Sequence, residues 1–142
     1  MTATPCETPY DRIGGEDGVR RLVKVFYDLV ETEPEGAPLR AMHNQGNGLA
    51  HAREAQFMFM SGFLGGPQLY VEQHRHSNVR QMHSHLAIGE VEAQSWLGCM
   101  EKALEKTADE DTRRMLMQTF QRVAHALRNQ PAADNPLKVT SA

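Results

Sequence analysis

The 142-residue sequence predicts an all-α protein. Four segments repeat apolar residues at the three- and four-residue spacing of an amphipathic helix, and no strand-like alternation lasts more than a few residues. The strongest breaker, "GGP" at 65–67, also falls directly after one of the periodic segments.

The first helix is expected from about Glu16 to Glu31, after the turn "IGG". Val19, Leu22, Val23, Phe26, Tyr27 and Val30 form its stripe at i, i+3, i+4, i+7, i+8 and i+11. The second runs from about Gly48 to Leu64, where glycine caps and proline forbids continuation. Its stripe is Ala52, Phe59, Met60 and Phe63, with Gln56 in the middle. A third, from about Glu90 to Lys106, carries Trp96, Cys99, Met100, Ala103 and Leu104 on one side. The fourth, about Asp111 to Asn129, carries Leu116, Phe120, Val123, Ala124 and Leu127. Each stripe is wide enough to bury against other helices. Residues 65–89 are different: they hold four of the seven histidines, a Gly-Gly-Pro turn and only scattered apolar residues. A connection of that length is uncommon unless it serves a function or wraps a ligand. Residues 1–8 and 130–142 have few large apolar side chains and read as flexible tails around one domain, 9–129.

Composition narrows the function classes. The net charge of −3 offers no basic patch for nucleic acid, and no apolar run approaches the length of a membrane span. The N-terminus lacks the basic and apolar regions of a secretory signal. Cys6 and Cys99 match no disulfide or metal spacing, which favours a reducing compartment, and a cytoplasmic protein is expected.

Three stripes contain a hydrogen-bonding side chain where a plain core would have Leu or Ile: Tyr27, Gln56 and Trp96. Each has a bland explanation. A tyrosine hydroxyl can sit at the core edge, a tryptophan can simply pack, and a rotated helix can bring glutamine to the surface. Three on three helices point instead to a shared polar pocket. Among the histidines, His51, His74, His76 and His125 read most simply as exposed, and His43 as part of the connection "MHNQGNG". In "NVRQMHSHLAIG" (78–89), His83 and His85 would lie about 200° apart on a helix, so at most one ligates a buried group. The spacing does not say which. A zinc site in "HRHSNVRQMHSH" lacks a cysteine or acidic partner at familiar spacing.

Taken together, "YDRIGGEDGVRRLVKVFYDLV", "LGGPQLYVEQH", "VRQMHSHLAIG" and "AQSWLGCM" make the chain resemble the group II truncated, two-over-two haemoglobins over residues 9–128. The run GGP-x-x-Y-x-E-Q followed by R-x-x-H is fairly specific, and a tryptophan 13 residues after that histidine marks group II. The resemblance implies a two-over-two helical sandwich around haem b. It implies His83 as the proximal iron ligand, with His85 turned away and Arg80 paired with a haem propionate. Phe59, Met60, Tyr70, Ile88 and Trp96 would line the porphyrin. The distal, ligand-facing positions would be Tyr27, His43, Ala52, Gln56 and Trp96, which include all three stripe-breaking residues. At His43 the family varies among Tyr, Phe and His. No CxxCH is present, so the haem would be non-covalent.

The implied function is reversible binding of O2 and other diatomics such as CO and NO. The alternative is a haem enzyme carrying out NO dioxygenation or peroxidase chemistry, with His43 and Gln56 handling protons. Both need an external electron donor or reductase, because the sequence contains no flavin or nicotinamide domain. Internal ligation of iron by His43 or Tyr27, and a monomeric or homodimeric state, stay open. The fallback without haem is a helical bundle that binds a partner protein.

Overall fold

The computed structural model describes residues 8–45, 48–74 and 88–128, and every regular element among them is helical. In chain order these are α1 (Pro9–Arg12), α2 (Gly15–Thr32), a 3₁₀ turn (Pro34–Gly36), α3 (Ala37–Gln45), α4 (Leu49–Phe63), α5 (Leu69–His74), α6 (Glu90–Thr107) and α7 (Glu110–Ala126). The four periodic segments are α2, α4, α6 and α7, with ends shifted by at most three residues from expectation.

Three helices were not expected from the periodicity. Helix α3 occupies the stretch read as a connection, so His43 sits in its last turn and not in a loop. Its one buried residue, Leu39, is too little for a periodic signal, although Pro38 in the first turn is compatible with a helix start. Helix α5 lies in the segment read as a loop and is only six residues long. Helix α1 is a single turn. Thr8, read as tail, caps it: the Thr8 hydroxyl accepts from the Asp11 amide, and the Asp11 carboxylate accepts from the Thr8 amide.

Helix α2 packs chiefly on α6 and α4, α6 packs on α7, and α5 leans on α4. The result is one pair, α2 and α4, set over the other, α6 and α7. The expected stripe of α2 is buried as read, with Val19, Leu22, Phe26 and Val30 wholly out of solvent. Helix α4 differs. Besides Ala52 and Met60 it buries Phe57, Met58 and Ser61, because it has contacts on more than one side. Cross-links between elements satisfy chain ends. Arg40 of α3 donates to the carbonyls of Val30 (2.7 Å) and Glu31 (3.0 Å), which have no intrahelical partner at the end of α2. The Ser95 hydroxyl donates to the Glu35 carbonyl at 2.7 Å and ties α6 to the 3₁₀ turn. No helix among the described residues is long and apolar enough to cross a membrane.

The tight return from α2 into α3 depends on Gly36. A Cβ there would stand 2.6 Å from both the Val30 Cα and the Val30 carbonyl oxygen, all backbone atoms that have no room to move. Gly36→Ala should therefore cost about 1–3 kcal/mol, as overpacking does. Urea unfolding checks it; an unchanged midpoint would contradict the close approach.

Candidate functional site

One face of α4, with its N-cap Gly48, repeats at helical spacing: Gly48, His51, Ala52, Ala55, Gln56, Phe59, Met60 and Phe63. All eight line one cavity. Its N-terminal half is small or polar and its C-terminal half is aromatic. The other walls come from Tyr27 of α2, from Leu39, Met42 and His43 of α3, and from Tyr70 of α5. Ile88 and the α6 residues Glu92, Ala93 and Trp96 continue the lining, and Phe120, Val123, Ala124 and Leu127 close it at α7. The cavity volume is about 130 Å³, and the cavity is partly open to solvent.

Aromatic rings run along the wall in contact with one another. Tyr27 meets Phe26 edge-on at 4.7 Å between centroids, and Phe26 meets Trp96 at 5.5 Å. Trp96 meets Phe120 at 5.2 Å, Phe120 stacks on Phe63 at 5.8 Å, and Phe63 stacks on Phe59 at 5.3 Å. Tyr70 closes the series, edge-on to Phe59 at 6.3 Å. Such pairs hold ring planes as well as positions.

The polar groups gather where α2, α3 and α4 meet. The Tyr27 hydroxyl donates to the Gln56 side-chain oxygen at 3.5 Å, the outer limit of a hydrogen bond. The His43 ring stands edge-on to Tyr27 at 6.1 Å. The Trp96 side chain is half-buried on the cavity wall, and its indole N–H meets no acceptor among the described residues. Tyr27 itself is buried. Burial pushes its hydroxyl well above the ordinary tyrosine range, and the nearby Arg53 guanidinium offsets this only in part. The group is a neutral donor at any physiological pH.

Of the residues singled out from the sequence, Tyr27, His43, Ala52, Gln56, Phe59, Met60, Tyr70, Ile88 and Trp96 therefore share one cavity. His83 and Arg80 lie outside the described residues, as do His76 and His85. The sequence reading missed Leu39, Met42 and Ala55 as lining, and took His51 as merely exposed; it is exposed, and it also stands on the cavity rim. The positions of His51 and Ala55 on the Ala52–Gln56 face could have revealed them. Among the described residues, no group of three or more His, Cys, Asp or Glu is arranged to hold a metal ion.

Residues 8–129 match the model of the family described as bacterial-like globin. A curated relative, the group 2 truncated hemoglobin YjbI of Bacillus subtilis (strain 168), is 31% identical over 128 residues, covering 89% of this chain and 92% of that protein. The solved group II 2-on-2 hemoglobin from the plant pathogen Agrobacterium tumefaciens superposes with a TM-score of 0.83 at 34% identity, over 92% of this chain and 100% of that one. The cold-adapted truncated hemoglobin from the Antarctic marine bacterium Pseudoalteromonas haloplanktis TAC125 gives 0.81 at 36% identity, over 88% and 100%.

Burial of Tyr27 has a measurable sign. The unfolded chain ionises this phenol near pH ~10, whereas the folded protein resists, so its contribution to stability is complete below that pH and declines as pH rises beyond it. Ultraviolet titration of tyrosinate should show one tyrosine that ionises only on alkaline unfolding. Tyr27→Phe should remove that late phase; its persistence in the variant would assign it to another tyrosine.

Proposed function

The chain belongs to the bacterial-like globin family, as a group II truncated haemoglobin, and on that premise we propose that it is a haem b protein that reversibly binds O2 and other diatomics. When bound, haem would supply an iron able to take up a diatomic gas. His83 would hold the iron through an imidazole nitrogen, and Arg80 would pair with a propionate.

The residues on the cavity wall suit that group. A macrocycle needs apolar and aromatic surface along its plane, which Phe59, Met60, Phe63, Tyr70 and Ile88 offer. On the ligand side it needs donors fixed by rigid elements. The observation that carries the reading is the convergence of Tyr27, Gln56 and Trp96, from three separate helices, on this one cavity. Each side chain carries a hydrogen-bond donor, and such donors favour a ligand that carries partial negative charge. The Tyr27 O–H is given to the Gln56 oxygen at 3.5 Å, a contact long enough to yield to a better acceptor. Ala52, beside them, leaves room for the ligand. The largely apolar wall around them lowers the local dielectric, which strengthens such bonds.

A second reading, NO dioxygenation or peroxidase activity with an external reductant, is favoured by one feature. The His43 imidazole stands beside Tyr27 at the polar end, where a titratable group can take up or release a proton. Catalytic NO consumption in the presence of a reductase separates this reading from simple binding.

The haem-loaded protein, reduced and exposed to CO, should give the spectrum of a reversible gas complex; a spectrum unchanged by CO would refute gas binding. A hydrogen bond to a charged acceptor contributes about 1.5–3 kcal/mol, so Trp96→Phe should release O2 about tenfold to a hundredfold faster than the parent. Stopped-flow displacement of O2 by CO measures this. A variant that releases O2 no faster removes the indole from the account.

A further inference from the structure

The contact between Tyr27 and Gln56 bridges two helices at 3.5 Å, so a displacement of a few tenths of an ångström between α2 and α4 makes it or breaks it. Something has to hold that register. Directly beside the contact, Arg53 of α4 reaches across to α2, and one of its terminal nitrogens donates to both Asp28 Oδ1 (2.9 Å) and Glu31 Oε2 (2.8 Å). Asp28 and Glu31 follow Tyr27 by one residue and by one turn, and Gln56 follows Arg53 by three. The two ion pairs therefore join the helices within one turn of both the donor, Tyr27, and the acceptor, Gln56. The same guanidinium lies 5.8 Å from the centroid of the Tyr27 ring, within the range of a cation–π contact.

On the reading that this cavity holds haem and its gas ligand, we infer that Arg53 is a positioning residue for ligand retention: its ion pairs with Asp28 and Glu31 lock α2 against α4, and its charge over the Tyr27 ring fixes where that hydroxyl points. The network is solvent-accessible, with the Arg53 side chain 30% exposed and the two carboxylates 46% and 44%. Exposed pairs of this kind add little to global stability. What the arrangement supplies is register at one place. Lys24 also pairs with Asp28, at 2.7 Å, on the solvent side, so the carboxylate stays charged and anchored from both directions. Burial favours the neutral form of Tyr27, while the positive charge of Arg53 acts in the opposite sense and makes the hydroxyl a stronger donor.

The test is a cycle of variants in the haem-loaded protein. Arg53→Gln should raise the O2 dissociation rate about threefold to tenfold, the scale of coupling between contacting residues, and shift the C–O stretching frequency of the CO form. In a Tyr27→Phe background the same substitution should leave the rate unchanged, because Arg53 acts through that phenol. Asp28→Asn combined with Glu31→Gln keeps the arginine but releases its anchors, and should reproduce the effect; this pair decides the matter if Arg53→Gln does not fold. Equal acceleration in both backgrounds, or an unaltered rate and stretch with a normal Soret band, overturns the inference. A wild-type chain with no Soret band at all overturns the haem reading itself, and this one with it.

Discussion

Interior space that is not close-packed forfeits dispersion contacts along its whole lining, so a small helical domain built around a partly open cavity has to gather its cohesion elsewhere. Here it does so where α2 meets α6. Val19, Leu22, Phe26 and Val30 on one helix, and Cys99, Ala103 and Leu104 on the other, are fully removed from solvent. The small side chains of Cys99 and Ala103 suit a close helix approach. The Cys99 thiol is pushed up to about 11 by burial and by the Glu35 carboxylate nearby, so it stays neutral and packs as a small hydrophobe. A group that binds the native cavity and not the unfolded chain stabilises the fold by mass action, so folding and ligand occupancy are linked.

Helix α4 resolves the tension between core and cavity by dividing its faces and its length. Phe57 and Met58 are buried away from the cavity, while Ala52, Gln56, Phe59, Met60 and Phe63 face it. Along the cavity face the sequence passes from small and polar to aromatic. The donors thus sit at one end and the flat apolar walls at the other, and helices hold both. Placing Tyr27, Gln56 and Trp96 on helices, with ring contacts from Phe26 and Phe120 fixing the indole, restricts their motion more than loops would.

Much of this was legible in the amino-acid order, for a physical reason. A long amphipathic helix writes its buried face into the sequence at a regular spacing, so α2, α4, α6 and α7 could be read directly. A polar residue in such a stripe carries a cost unless it has a partner, which made Tyr27, Gln56 and Trp96 conspicuous before any geometry was known. Helices α3 and α5 were hidden because nine and six residues are too few to display a period. Arg53 was hidden differently. Its partners lie 25 and 22 residues earlier, and a charged residue on a helix reads as an ordinary solvated side chain until the two helices are packed together. The family resemblance rested in part on short motifs in residues 64–89, where periodicity said almost nothing, and in part on stretches within α2 and α6 that the periodicity had already marked.

The claim beneath the functional account is that one imidazole, that of His83, holds the iron of a haem in this cavity. The measurement that tests it most directly compares the reduced absorption spectrum and the rate of haem loss of the parent with those of His83→Ala. The account predicts that the variant loses the parent's reduced Soret band and releases haem far more quickly, with added imidazole restoring the band. An unchanged Soret band and an unchanged rate of haem loss would contradict it.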